Sequence, residues 1–195
     1  MYHPNLLAHY RFESTQANLG IDASGNGNNL FSLGPVRVVG QFGNGVYFDG
    51  VNDYMGNTIT PFNFEIGYTI SMYINFNLST STQYIFSDGG TNGIRYNGSS
   101  FLVYTGTTFT ALPYTKVSDN IHLVIIRKTA TQYDFYVNAE YIGSCTSTTS
   151  TLDISIIGRQ SGVFYFNGII DELKFITKEC DLIDINLLRI GQNPR

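Results

Sequence analysis

Short runs of Tyr, Phe, Ile, Val and Thr recur along the whole chain, each closed within a few residues by Gly, Asn, Asp or Ser. Such a rhythm suits strands joined by tight turns and leaves little room for helices, which need longer apolar periods. The clearest runs are 6–12, 45–48, 68–77, 83–87, 93–96, 101–104, 122–128, 133–137, 141–145, 152–158 and 167–176. Within 68–77, Ile70, Met72, Ile74 and Phe76 alternate with Thr69, Ser71, Tyr73 and Asn75, the period of a strand with one buried face. By contrast, Leu123, Val124, Ile125 and Ile126 form an unbroken apolar run, which predicts a strand covered on both faces. Asn26-Gly27, Asp88-Gly89-Gly90 and Asn97-Gly98 accept positive φ at little cost and supply hairpin turns. Many antiparallel strands with such turns imply an all-β sandwich or barrel.

One segment reads as a helix. Asp181 can cap its first turn, Asp184 stands in capping-box position, Ile183, Leu187 and Ile190 share a face, and Gly191 ends it. Cys180, just before the cap, is expected to be packed. The 195 residues show no linker and no tandem repeat, so one domain spanning 1–195 is expected.

Charged residues are only 13% of the chain against 43% hydrophobic, so the surface must be built from Ser, Thr, Asn, Gly and Tyr. A net charge of -4 without a basic run gives no electrostatic reason to bind nucleic acid or anionic lipid. No apolar run approaches the ~20 residues that cross a bilayer. The start, Met1 to Asn5, has neither a basic nor a long apolar region, so the expectation is a chain without a secretory signal. That leaves a cytoplasmic protein, one released by lysis, or a piece of a secreted parent. Cys145 and Cys180 can make one bridge at most, and two packed free thiols are expected instead.

Four ordered segments resemble the laminin G-like jelly-roll family of the concanavalin A-like lectin and glucanase superfamily. The first is Leu6-Leu7-Ala8-His9-Tyr10-Arg11-Phe12-Glu13, followed by Asp22-Ala23-Ser24-Gly25-Asn26-Gly27-Asn28. Next come Gly40-Gln41-Phe42-Gly43-Asn44-Gly45-Val46-Tyr47-Phe48-Asp49-Gly50, with Asp53-Tyr54 close behind, and Tyr68-Thr69-Ile70-Ser71-Met72-Tyr73-Ile74. The last is Phe166-Asn167-Gly168-Ile169-Ile170-Asp171-Glu172-Leu173-Lys174-Phe175. The resemblance implies a two-sheet antiparallel jelly-roll sandwich closed by one short C-terminal helix. Two departures stand out. Tyr73 and Ile121-His122 occupy places where many relatives carry Trp, and the hairpin after Tyr136-Val137 turns on Asn138-Ala139 instead of Asp-Gly. A left-handed Ala costs roughly 1 kcal/mol, so a different turn type is expected there.

The resemblance further implies a structural calcium held by the 22–28 loop together with Asp171. Asp22, Asn26, Asn28, Asp49 and Asp171 are the candidate ligands, with Asp53 nearby, because calcium takes six to eight oxygens. The competing reading makes Asp22 and Asn26 Asx-turn residues and pairs Asp171 with a backbone amide. Catalysis lacks a signature. Retaining glycosidases need two carboxyls about 5–5.5 Å apart, whereas Asp171 and Glu172 are expected on opposite strand faces and Glu13, Glu65 and Glu140 stand alone. His3, His9 and His122 show no zinc spacing, and His9 suits a hydrogen-bonded structural role. Tyr84, Tyr96, Tyr104, Tyr114 and Tyr165 lie in or beside Gly- and Thr-rich loops and are the candidate ligand-binding residues.

The expectation is therefore a non-enzymatic binding or adhesion module for a glycan or a protein surface. It would be extracellular or part of a virion surface, as a capsid decoration or tail-associated protein contacting other virion proteins. The alternatives are an architectural assembly protein without a free ligand, and an atypical glycoside hydrolase. Homo-oligomerisation is left open.

Overall fold

A computed structural model describes residues 3–57, 61–77, 82–105, 110–115, 117, 119–148 and 152–195. In chain order the strands are β1 Leu6–Tyr10, β2 Leu30–Leu33, β3 Val36–Val39, β4 Asn44–Asp49, β5 Tyr54–Asn57, β6 Phe62–Asn63, β7 Thr69–Phe76, β8 Gln83–Ser87, β9 Gly93–Tyr96 and β10 Ser100–Tyr104. They continue with β11 Ala111–Pro113, β12 Ile121–Arg127, β13 Gln132–Val137, β14 Glu140–Thr146, β15 Asp153–Ile154, β16 Ile156–Ile157, β17 Arg159–Gln160, β18 Phe164–Tyr165 and β19 Asn167–Ile176. Helix α1, Leu182–Arg189, follows.

Two large antiparallel sheets carry the fold. One has the order β14-β13-β12-β7-β19-β4-β3, with β1 also paired to β19, and the other has the order β11-β10-β9-β8-β16-β5-β2. Apolar residues at alternate positions of both sheets meet between them, among them Tyr10, Phe48, Met72 and Phe76 from the first and Met55, Phe86, Tyr96 and Phe101 from the second. Phe101 stacks on Phe135 across the sandwich with ring centroids 5.4 Å apart. Each such ring contributes about 1.5–3 kcal/mol through burial.

The unbroken apolar run in β12 is explained by a second, smaller core. Leu123 and Ile125 face the other sheet, while Val124 and Ile126 turn outward beneath Cys180, Ile185 and Leu188. The outward residues of β7, Thr69, Ser71 and Tyr73, are consequently buried as well, so β7 has two covered faces where its alternation predicts one. Helix α1 is capped as expected: Asp181 accepts from the Asp184 amide, and the Asp184 side chain reaches back to the Asp181 amide. Its packed face differs from the expected one. Ile185 and Leu188 are buried with Cys180 over Val124 and Ile126, whereas Ile183 and Ile190 are 54% and 62% exposed.

Three further details depart from expectation. Run 152–158 is split between β15, which pairs with β6, and β16, which pairs with β5 and β8. The 138–139 turn is left-handed at both positions, with φ of 53° at Asn138 and 71° at Ala139, so the strain expected to exclude Ala is accepted. The strand β19 changes partner midway, pairing with β4 over 167–170 and with β1 over 173–176. A bulge between Asp171 and Lys174 accommodates the change, with Glu172 at φ 49°. Ile170 and Leu173 both remain in the core, so Asp171 and Glu172 leave the strand on the same outer side. The expectation that they face opposite ways holds only for an unbulged strand.

Candidate functional site

The residues expected to bind calcium are occupied by protein donors. Asp22 Oδ1 accepts from the amides of His9 at 2.9 Å and Ser24 at 2.8 Å. Its Oδ2 accepts from Ser24 Oγ at 2.8 Å and the Asn28 amide at 3.0 Å. These four bonds use the about four lone-pair sites of a carboxylate. Asn26 and Asn28 direct amide nitrogens to the carbonyl of Leu7. Asp49 accepts from Val51 and Asn52, and Asp171 Oδ2 accepts from Gln41 and Phe42. The carboxylates thus serve three separate sets of backbone donors. Among the described residues no three His, Cys, Asp or Glu side chains are grouped so as to hold a metal ion. This donor set does not fit calcium; Asp22 makes the Asx turn to Ser24, whereas Asn26 reaches the carbonyls of Leu6 and Leu7 instead of its own backbone, and together they tie the 22–28 loop to β1.

A buried ionic cluster lies on the outer face of the eight-stranded sheet. Glu172 Oε2 is 2.7 Å from His9 Nε2 and 3.3 Å from Lys174 Nζ, and Arg11 approaches Oε1 at 3.5 Å. Burial opposes the charge on Glu172, but the His9 bond and the Lys174 charge hold its carboxyl down at about 2. Burial lowers both His9 and Lys174 below their ordinary values, and a neutral His9 donating from Nε2 satisfies Glu172. Asp171 is pushed up to about 6 by burial. Nearby, His122 Nε2 lies 2.8 Å from Ser71 Oγ. Burial, with the charges of Lys174 and Arg189, pushes its imidazole down to about 3. A cleft of about 290 Å³ is lined by His9, Arg11 and Glu172, with Asp171 outside its lining. The cysteines are both buried and free. Burial raises Cys145 to about 12 and Cys180 to about 11, which leaves neither reactive at neutral pH.

The outer face of the seven-stranded sheet has a different chemistry. Register places Phe31, Gly56, Ile156, Ser87, Gly93 and Tyr104 in one cross-strand row. Arg95, paired with Tyr84, lies beside that row. Its guanidinium sits 5.5 Å from the Tyr84 ring centroid and 5.4 Å from that of Tyr104, and Nη1 donates to the Tyr84 hydroxyl at 3.2 Å. Phe164 stacks on Tyr84 at 6.0 Å. Further along, Arg159 lies 3.6 Å over the ring of Tyr54, and Phe31 meets that ring edge-on at 5.7 Å. A Cβ on Gly56 would strike the Phe31 ring at 2.6 Å, and one on Gly93 would strike Phe86 O at 2.2 Å and the Tyr84 ring at 2.9 Å. Glycine at these two positions leaves room for the Phe31 and Tyr84 rings against the backbone.

Of the five expected tyrosines, Tyr84 and Tyr104 belong to this face as the clamp on Arg95, with Tyr84 itself only 2% exposed. Tyr165 is half-buried in the β17–β18 hairpin beside it. Tyr96 is wholly buried and donates to the carbonyl of Tyr114, while Tyr114 stacks on Phe101 at 5.0 Å. Tyr96 is thus a core residue, and Tyr114 is partly buried against the core. Alternation explains it: Tyr96 shares the inward parity of Ile94. Tyr54, Phe164, Arg95 and Arg159 were missed. Arg95 carries a usable signal, a single charge between inward Ile94 and Tyr96.

An antiparallel two-sheet sandwich of this topology, with a short helix closing one outer face, is a jelly-roll β-sandwich. The family model of the concanavalin A-like lectin/glucanases superfamily, laminin G type, matches residues 40–185, and the chain belongs to that superfamily. No curated protein matches in sequence. Among solved structures, domain 4 of AbnA, a GH43 extracellular arabinanase from Geobacillus stearothermophilus in complex with arabinotriose, is similar with a TM-score of 0.72 at 15% identity, covering 95% of this chain and 98% of that one. The binding domain of Paraclostridial Mosquitocidal Protein 1 is similar with a TM-score of 0.69 at 13% identity, over 96% of this chain and 52% of that one. Trypanosoma rangeli sialidase in complex with sialic acid is similar with a TM-score of 0.70 at 15% identity, over 97% of this chain and 33% of that one. At these identities the likeness is one of fold. Among the described residues no helix is long and apolar enough to cross a membrane.

Proposed function

We propose that the protein is a non-enzymatic binding module that recognises a glycan through the outer face of its seven-stranded sheet. The observation carrying this reading is the strip in which Phe31, Tyr54, Phe164 and Tyr104 alternate with two stacked arginines. Flat rings with polar edges suit sugar rings and hydroxyls, and rings already held by neighbours lose little freedom on binding. Similar folds occur in an arabinanase domain complexed with arabinotriose and in a toxin binding domain, which accords with a binding role. Glu172 is engaged by His9 and Lys174, and Asp171 by the amides of Gln41 and Phe42, which accords with structural roles for both carboxylates. An extracellular or virion-surface setting, as a capsid decoration or tail-associated protein, agrees with a surface poor in charge. A glycan-array screen of the wild type beside Tyr54→Ala and Phe164→Ala tests the reading. Hits that vanish in either variant support it, and hits indifferent to both place the site elsewhere.

A second reading rests on Leu33, Val36 and Val39, the last 83% exposed, along the β2–β3 side of the sandwich. Such apolar residues on edge strands suit contact with an assembly partner or a second copy. Sedimentation of the wild type and Val39→Lys distinguishes this: association lost in the variant supports the architectural role.

A further inference from the structure

We infer that the saccharides recognised by this face are acidic, with the guanidinium group of Arg159 reading a carboxylate. The inference rests on the reading of the seven-stranded face as a saccharide surface and adds the class of ligand.

The chain has only 11 Lys and Arg in 195 residues, yet two of them stand on this face, each held against aromatic rings. Arg159 lies 3.6 Å over Tyr54, and Arg95 lies between Tyr84 and Tyr104. Stacking occupies the flat face of a guanidinium and leaves its N–H fork in the plane, the geometry that grips a carboxylate with two parallel bonds. Arg159 has no carboxylate partner among the described residues. Beside the two arginines runs the uncharged row Gly56, Ile156, Ser87 and Gly93, with Asp88 close enough to Tyr84 to act on it electrostatically. Two arginines thus share one face in a chain whose net charge is -4.

Strand order gives the spacing. Arg95 is on β9 and Tyr54, under Arg159, is on β5, with β8 and β16 between them. Three inter-strand steps span ~14 Å, so a short oligosaccharide lying on the face reaches from Arg159 to the aromatic clamp around Arg95. Because the Tyr54 ring fixes the Arg159 guanidinium in advance, little side-chain freedom is lost on binding. A neutral sugar offers this fork hydroxyl oxygens but neither the charge nor the paired oxygens of a carboxylate, so the face favours acidic ligands.

The test is a calorimetric titration of the whole protein with sialyllactose, trigalacturonic acid and lactose, repeated with Arg159→Gln, Arg159→Lys and Arg95→Gln. Thermal melts confirm that each variant is folded. At least one acidic saccharide is expected to bind about tenfold more tightly than lactose, the worth of one charge-assisted pair. Arg159→Gln should remove that advantage and leave lactose unchanged, with Arg159→Lys recovering part of it. The acidic arm that responds tells sialic from uronic acids. Equal binding of acidic and neutral sugars, or an advantage surviving in Arg159→Gln, overturns the acid reading while leaving the face as a saccharide site. Binding of lactose that Tyr54→Ala does not alter overturns the site itself, and no binding of any of the three overturns both.

Discussion

His122 makes the stability of the protein depend on pH in a way that can be isolated by one substitution. The side chain is 1% exposed. It faces Ser71 and Tyr73 on β7, the Lys174 charge on β19 and the Arg189 charge on α1, and its imidazole is pushed from 6.5 to about 3. The unfolded chain takes up a proton at this residue below pH 6.5, while the native chain refuses it. Stability is therefore full above 6.5 and is lost as pH falls toward 3. Each pH unit inside that window costs about 1.4 kcal/mol, so the step from pH 7 to pH 5 costs about 2 kcal/mol from this residue alone. Other groups titrate in the same range, including His9 and the raised Asp171, which acts in the opposite sense because the native state binds its proton more tightly. They cancel when the wild type is compared with His122→Gln, whose amide retains a partner for Ser71. Urea unfolding at pH 7 and pH 5 should show the variant losing about 2 kcal/mol less than the wild type between the two values. Equal losses in the two proteins would refute the reasoning, since they would mean that His122 is protonated in the native state or that the cluster opens to water.

Ala139→Gly should raise stability by about 0.5–1 kcal/mol in denaturant melts, because it relieves a left-handed Ala worth about 1–2 kcal/mol at a partly offsetting entropic cost. Asp22→Ala orphans the amides of His9, Ser24 and Asn28 and should cost about 3 kcal/mol; a loss below about 1 kcal/mol would show that the loop does not depend on this carboxylate. EDTA and millimolar calcium should leave the melting temperature unchanged, and a calcium-dependent rise would show that the 22–28 loop rearranges around an ion. Glu172→Gln leaves Lys174 charged and 1% exposed without its carboxylate and should cost about 3–5 kcal/mol. Joint replacement of Glu172 and Lys174 by Met should recover most of that, as judged by urea midpoints.

Long or strongly patterned elements were legible before any coordinates. The doubly apolar β12 and the Asp181–Asp184 capping box follow from local chemistry and occur, whereas the alternation of β7 marks its inner face and misses the burial of its outer one. Short elements such as β3, β6 and β11 were not legible, because two to four residues carry too little pattern and form only where a neighbour supplies the ladder. Candidate residues fared less well. Tyr96 and Tyr104 carry the same side chain, and only the direction each takes from its strand places Tyr96 in the core and Tyr104 on the outer face.

The residues themselves determined the all-β character, the two-faced burial of β12 and the point where α1 starts and stops, since period, apolar run and cap are local properties. Tertiary structure decided everything that depends on which strands become neighbours. The β19 bulge turns Asp171 and Glu172 to one side, α1 seals an outer face over His122 and Lys174, and strands β5, β8 and β9 with the β17–β18 hairpin bring Tyr54, Tyr84, Arg95 and Arg159 to one face from positions far apart in the chain. Register is a relation between distant segments, and the physical character of a sheet face is a property of the sheet and not of any strand in it.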